Sequence, residues 1–481
     1  MKEININLWG VKPTNSSAEN TRSFTYFFDK ELKNVSISNP LTLTFGSGTY
    51  AFDLLEIGRS HKTINNLHLK GVGIGKTILK FSGNEHTFLY LHHLTNFIVS
   101  DLSINGAGAK FEGGLWVRES CRHGLVERVE VYDAHDVSCV VSGPDTSHIT
   151  IRDCTVYNQR NFTGNSKAMF LAGDTAEFVT FENCHTFSQS KDKKHNSVAD
   201  HFDTDDAKYV NYLNCTANGE GSQGGVGFWN EGEGEGIKAI STYYGCTAYK
   251  THGGLATSEN SVVKAYGMNF IQCSAFGWTV WSKGLHPHSS LSLDGGYFKG
   301  CGSAVTNNRD GGIHVEANTH ITNCIFEDTP DGCFNISFYK FGAALPPDTY
   351  TYITNCIFDK GVRITCPYLN DGPSIRNLTI QNSIFKPHAY FAALQNPLKY
   401  NIRISGCTFF DKGLVLENVN KIKILGNTFT CQSDEITPIE RMGMVSGIVQ
   451  DNLFSGYKDT YLIFNDSKSD QRMNVYFNDY E

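Results

Sequence analysis

A two-residue step, usually Asn, Asp or Gly followed by Cys, recurs along this chain and constrains its fold more than any other feature. It stands at Cys154 (RDC), Cys184 (ENC), Cys215 (LNC), Cys246 (YGC), Cys273 (IQC), Cys301 (KGC), Cys324 (TNC), Cys356 (TNC) and Cys407 (SGC). Successive spacings are 30, 31, 31, 27, 28, 23, 32 and 51 residues, and Ser383 in QNSIF divides the last into 27 and 24. GNTF at Asn427 and DNLF at Asn452 carry the series on. Self-similarity at this period marks a stacked architecture.

The grammar inside each repeat is β. Stretches such as HITIRDC, EFVTFENC and KYVNYLNC alternate apolar and polar residues before the cysteine, and CTVYN, CTAYK and CIFED form a second short strand after it. There is no leucine frame with helical spacers, as a leucine-rich repeat requires, and the repeat is too short for a propeller blade. The chain therefore reads as all-β, a single right-handed parallel β-helix of roughly a dozen coils. The cysteine and the residue two later should face inward as ladders of small apolar groups. The 14 cysteines are expected to be buried thiols: a chain of 481 residues needs no disulfide staples, and no CxxC metal spacing occurs.

The net charge of −8 offers no basic stripe for nucleic acid, and no apolar run is long enough to cross a membrane. The opening MKEININLWGVKPT lacks an apolar signal core, which leaves a cytosolic protein, a virion component or a chain without its leader as alternatives, and is compatible with virion-associated or extracellular action. Residues 1–50 read as an N-terminal cap and first strands, with NTRSFTYFF as a short amphipathic capping helix and LTLTFGSGTYAF as strand, glycine turn and strand. Residues 51–481 read as the β-helix, with a candidate groove around 191–316.

Aligning three coils on Cys154, Cys184 and Cys215 without gaps separates residues that repeat from residues that break the pattern. Val141, Leu171 and Phe202 fall together and inward, while Ser142, Ala172 and Asp203, and Val140, Phe170 and His201, fall outward. Asp145, Asp174 and the pair Asp205-Asp206 recur where the chain bends, so turn chemistry accounts for one of that pair. His201 and Asp203 are the breaks. Following coils bring GGVGFWNEGEGEG, THGGLATSEN, GWTVWSKGLHPH and NNRDGGIHVE to the same side, which assembles Asp203, His201, Asp205, Asp206, Glu231, His252, Lys283 and Arg309 as candidate catalytic groups. Trp229, Asn230, Trp281 and Asp310 are the candidate substrate contacts, because sugar ring faces pack on aromatic rings. Trp278 reads as core, and sequons such as Asn335-Ile336-Ser337 fall on inward strands.

The entry segments WGVKPTN, NTRSFTYFF and LTLTFGSGTY, followed by this coil grammar, resemble the pectate-lyase-like β-helix group: polysaccharide lyases, polygalacturonase-type hydrolases and phage tailspike depolymerases. PTNSSAENT replaces the group's usual Gly-Asp-Gly and Asp-Asp-Thr steps. Asp203-Thr204-Asp205 is similar to the hydrolases' Asn-Thr-Asp step, Thr251-His252-Gly253 to their Gly-His-Gly step and Trp281-Ser282-Lys283 to their Arg-x-Lys step, and Asn230-Glu231 stands where their Asp pair would be.

The resemblance implies an enzyme that cleaves a polysaccharide. Two chemistries fit the residues. Asp203 and Glu231 could act as the acid and base of glycoside hydrolysis, for which inverting enzymes hold two carboxyls about 6.5–9.5 Å apart. Lys283, Arg309 or His201 could instead abstract a ring proton in a lyase, with Ca²⁺ held by carboxylates near Asp203 or by EGEGEG as the candidate cofactor. The alternative from another class is a non-catalytic glycan-binding or structural β-helix, such as a phage receptor-binding protein, with a homotrimer as its assembly.

Overall fold

The structure, a computed structural model, describes residues 2–32, 35–58, 63–81, 86–107, 111–135, 137–159, 168–188, 200–220, 225–232, 236–258, 260–280, 290–302, 311–315, 317–338, 349–365, 376–394, 400–419, 421–431, 436–443, 445–457, 463–465, 471–476 and 478–480. The chain divides into two compact units, Met1–His252 and Gly253–Glu481. Both are built of parallel β-helix coils, about 12 turns in all, with one short α-helix near the N-terminus.

That helix spans Ser17–Lys30. Ser16 caps it: its hydroxyl accepts from the Glu19 N–H at 3.3 Å, and the Glu19 carboxylate accepts from the Ser16 N–H at 2.9 Å. Such a reciprocal cap contributes about 1 kcal/mol. Phe24 and Phe27 are buried, and Phe24 meets Phe52 edge-on at 6.3 Å, which fixes the helix to the first strands, Leu41–Thr44 and Gly48–Phe52. Gly48 has φ +134°, and a Cβ there would strike the Pro13 ring at 2.6 Å, so the glycine turn is a steric requirement.

The Asn-Cys step has a backbone cause. The residue before each ladder position is left-handed: Asp153, Asn183, Asn214 and Gly245 in the first unit have φ of 53°, 52°, 52° and 60°. In the second unit Asn323, Asn355, Asn382, Gly406, Gly426 and Asp451 have φ of 55°, 56°, 50°, 65°, 59° and 56°. Asn, Asp and Gly are the residues that enter this region at least cost. The following side chain then points into the coil. The cysteines there are buried free thiols, and several donate to a carbonyl of the coil below: Cys184 to Ile151 at 3.3 Å, Cys215 to Phe181 at 3.3 Å and Cys246 to Tyr212 at 3.4 Å. At Asn427 and Asn452 an amide takes over this role. Asn427 Nδ2 donates to the Ile404 carbonyl at 3.1 Å, and Asn452 Nδ2 donates to that of Ile424 at 3.0 Å.

The structure corrects three details of the repeat. In the second unit the strand after Met268 pairs with the strand after Gly296, and that one with the strand after Cys324, so Met268 and Gly296 occupy the ladder. Cys273 and Cys301 sit one corner further on, after Gln272 (φ 53°) and Gly300 (φ 61°), a second left-handed corner that accepts the same dipeptide. The residue two after the ladder position is small in the first unit (Val156, Thr186, Ala217, Ala248), but in the second it is a run of stacked rings from Phe270 to Phe454.

The third correction concerns register. Val140 pairs with Leu171 and Leu171 with Asp203, whereas Val141 pairs with Ala172 and Ala172 with Thr204. The gapless alignment slips because the turn shortens by one residue per coil: Ser142 and Ser147, Gly173 and Glu177, and Asp205 and Lys208 are its equivalent ends.

Candidate active site

In the first unit the strands Leu55–Ile57, His86–His92, Phe111–Arg118, Cys139–Ser142, Ala168–Gly173, Asp200–Asp205 and Val226–Glu231 form one parallel row. Its inner side carries the stacked rings Phe170, Phe202 and Phe228, with centroids 5.1 and 5.0 Å apart. Its outer side carries two files of paired residues. One runs Glu56, Tyr90, Trp116, Val140, Leu171, Asp203, Trp229; the other runs His92, Arg118, Ser142, Gly173, Asp205, Glu231.

Period-two alternation fails at the start of these strands. Met169 and Phe170 are both fully buried, as are His201 and Phe202 one coil later. Ala168, one residue earlier, packs outside with Val137, Val140, Leu171 and Trp116. Asp200 pairs with Ala168 and therefore joins Asp203 on the outer side. The half-buried Asp200 carboxylate accepts from the Val226 N–H at 2.9 Å. Loss of hydration, reinforced by the Glu231 charge and opposed by the Val226 hydrogen bond, raises its pKa to about 7. Asp203 and Trp229 are register neighbours, as are Asp205 and Glu231, which places those Cα atoms about 4.8 Å apart. Asp200, Asp203, Asp205, Trp229 and Glu231 thus share one outer face on two adjacent strands.

The remaining expected site residues are distributed differently. His201 faces inward, where its Nδ1 lies 2.7 Å from the Thr186 hydroxyl, and burial pushes its pKa down to about 4. It is a neutral core histidine, contrary to its expected outward placement. Asn230, expected to touch substrate, lies between the outward Trp229 and Glu231 and therefore points inside. Its Oδ1 accepts from Ser241, whose hydroxyl is 3.0 Å from Thr204 Oγ1, and Thr204 is 2.8 Å from the Tyr212 hydroxyl. Asp206 (φ 57°) occupies the left-handed turn also held by Asp145 (60°) and Asp174 (49°), and its N–H donates to the Glu231 carbonyl at 3.1 Å. His252 is an exposed turn residue whose N–H donates to the Gly225 carbonyl at 3.0 Å. Lys283, Arg309, Trp281 and Asp310 lie outside the described residues. Trp278 is core, as expected, and Asn335 is fully buried. Among the described residues, no group of three or more His, Cys, Asp or Glu side chains is placed to hold a metal ion; part of EGEGEG lies outside them.

No family model matches the sequence. No curated protein matches it. Among solved structures, the chain is similar to the Azotobacter vinelandii mannuronan C-5 epimerase AlgE6 A-module, at 12% identity over 99% of each chain with a TM-score of 0.41. It is also similar to the catalytic domain of a GH87 alpha-1,3-glucanase, at 12% identity over 98% of this chain and 68% of the other, with a TM-score of 0.36. A third likeness is to bacteriophage CBA120 tailspike protein 3, at 10% identity over 91% and 62%, with a TM-score of 0.35. Identities and scores of this size assign no residue a role, so the chemistry must be read from the side chains themselves.

Sequence reasoning missed Asp200. The signal was an Asp where the preceding coil has Ala168, hidden because the gapless alignment set it against Met169 instead. It also missed a group around His92 further along the same face, where Glu56, His92, Arg118 and Glu119 meet beside Tyr90 and Trp116.

The Asn230 network yields a prediction. Asn230→Ala should lower stability by about 1–3 kcal/mol by leaving buried hydroxyls short of a partner. Urea unfolding measures that loss, and saccharide binding by the folded variant should be unchanged. Weakened binding at unchanged stability would instead return Asn230 to the substrate contacts.

Proposed function

We propose that the chain cleaves a polysaccharide by glycoside hydrolysis on this outer face, with Asp200 as general acid and Glu231 as the carboxylate that activates water. The observation that carries this reading is the outer face on which Asp200, Asp203, Asp205 and Glu231 gather, where loss of hydration, and to a lesser extent the Glu231 charge, raises the Asp200 pKa to about 7. Glycoside hydrolysis needs one carboxyl that keeps its proton and a second carboxylate; Asp200 suits the first role, and Glu231, opposite Asp205 on the same outer face, stands for the second. Asp200 donates to the departing glycosidic oxygen, and Glu231 takes the proton of the attacking water. Asp203, outward between Asp200 and Asp205 on the same strand, is placed to bind sugar hydroxyls. Trp229 beside it offers a ring face to the sugar's C–H groups.

The test is a panel of neutral and acidic polysaccharides assayed for new reducing ends and for absorbance of unsaturated products. Reducing ends without ultraviolet absorbance, lost in Glu231→Gln, support hydrolysis. Unsaturated products would assign a lyase, and binding without cleavage of any panel member would assign a glycan-binding protein; either result overturns the proposal.

A further inference from the structure

At the other end of the same face in the first unit, a cavity of about 360 Å³ opens among Glu56, Tyr90, His92, Arg118 and Glu119. Small-molecule sites typically occupy about 300–1,000 Å³. Tyr90 forms one wall and is held by other rings: it stacks on Trp116 at 5.6 Å and on the His92 ring at 5.4 Å. The rest is charged. His92 is 7% exposed, with Nδ1 3.2 Å from Glu119 and Nε2 3.3 Å from Glu56. Arg118 pairs with Glu119 at 2.6 Å, and its guanidinium lies 4.6 Å from the Trp116 ring. Gly58 is required here, because a Cβ on it would meet the His92 carbonyl at 1.8 Å.

Charge and shape narrow the ligand. Burial lowers the His92 pKa and outweighs the two carboxylates, so the ring is uncharged near neutrality. Among the described residues, two carboxylates stand against one guanidinium, a negative balance that disfavours a sugar acid or a phosphate. Arg118 already occupies the Trp116 face as a cation, which disfavours an ammonium ligand. The density of charged groups disfavours an apolar one. What remains is an uncharged, hydroxyl-rich ring, with its hydroxyls donating to the carboxylates and its C–H groups against the part of Tyr90 that lines the cavity.

We propose that this cavity is a second saccharide-binding site for neutral pyranose units, separate from the acidic face. The proposal rests on the reading of the chain as saccharide-acting. Separation follows from the file between the two places: Val140 and Leu171, 1% and 8% exposed, stand between Trp116 and Asp203. Three strand spacings, about 14 Å, part the cavity from Asp203. A long chain held at both places gains avidity, whereas a short one cannot.

The experiment is calorimetric titration of the full chain in a Glu231→Gln background. The ligands are neutral gluco-, galacto- and manno-configured hexasaccharides, a uronan hexasaccharide and a glucosamine hexasaccharide. At least one neutral hexasaccharide should bind ten-fold or more tightly than the uronan and the glucosamine oligomer. Tyr90→Leu and Glu56→Gln should each weaken it ten-fold or more. Glu56→Gln is isosteric, and near-ultraviolet circular dichroism checks its fold. Binding equal in both variants, tighter binding of a charged hexasaccharide, or no binding at all overturns the inference. Cleavage that survives Glu231→Gln would instead remove the catalytic proposal and leave the titration standing.

Discussion

Asp200→Asn is expected to lower turnover by about 10²–10⁴-fold, the usual contribution of a general acid, while making the protein more stable at neutral pH. The two effects share one cause. With its pKa at about 7, against an ordinary value near 4, the Asp200 carboxyl ionises in the unfolded chain before it does so in the folded one. Stability from this group is therefore fully present below pH 4, falls as pH rises toward 7, and stays low above it. The loss is at most about 4 kcal/mol.

His201 has the opposite slope. Its pKa is depressed to about 4, so the unfolded state takes up a proton first as pH falls. Its contribution is present above the ordinary histidine pKa and is lost between about pH 6.5 and 4, by about 3 kcal/mol at most. In the native chain the two terms offset each other over that window. In Asp200→Asn the histidine term alone remains, so stability should rise from pH 4 to 6.5. Urea unfolding at pH 4 and pH 8.5 measures this: the variant should match the native chain at pH 4 and exceed it by roughly 2–4 kcal/mol at pH 8.5. Equal stability at both pH values would contradict the raised pKa, and full activity in the variant would remove Asp200 from the chemistry.

Phe409→Ala is expected to cost about 3–5 kcal/mol. Phe409 is fully buried and lies 4.4 Å from the Phe385 ring and 4.9 Å from the Phe429 ring, so truncation opens a hole between two coils. Neighbouring coils hold one another, and the loss should spread beyond the site of change. Phe410, next in sequence but 36% exposed, provides the control: Phe410→Ala should shift stability by no more than about 0.5 kcal/mol. Comparable losses in the two variants, measured by denaturant unfolding, would contradict the assigned faces.

The coil was legible in the sequence because two demands coincide at one dipeptide. A left-handed backbone at Asn183 or Gly245 calls for Asn, Asp or Gly, and the next side chain must fit a narrow interior that a thiol can also hydrogen-bond. The same dipeptide misled at Cys273 and Cys301, since a second left-handed corner makes the same demand. Asp203 is legible as outward because it interrupts an apolar stretch of its file after Val140 and Leu171, and Glu231 because the next coil brings its segment to the same side. His201 was misplaced because two successive side chains, His201 and Phe202, turn inward, which no period-two reading anticipates. The group at Glu56, His92 and Arg118 was invisible for another reason: its members come from coils without the cysteine marker, so nothing in the sequence supplied their register.

The central claim is that Asp200 holds a proton at neutral pH because it is withdrawn from water on a face that also carries the Glu231 charge. Carbon-detected NMR titration of the aspartate carboxyls, with Asp200 assigned by its loss in Asp200→Asn, measures this directly in the native chain and in Glu231→Gln. The account predicts a midpoint near 7 that moves down when the Glu231 charge is removed. A midpoint near 4, or one indifferent to Glu231, would contradict it.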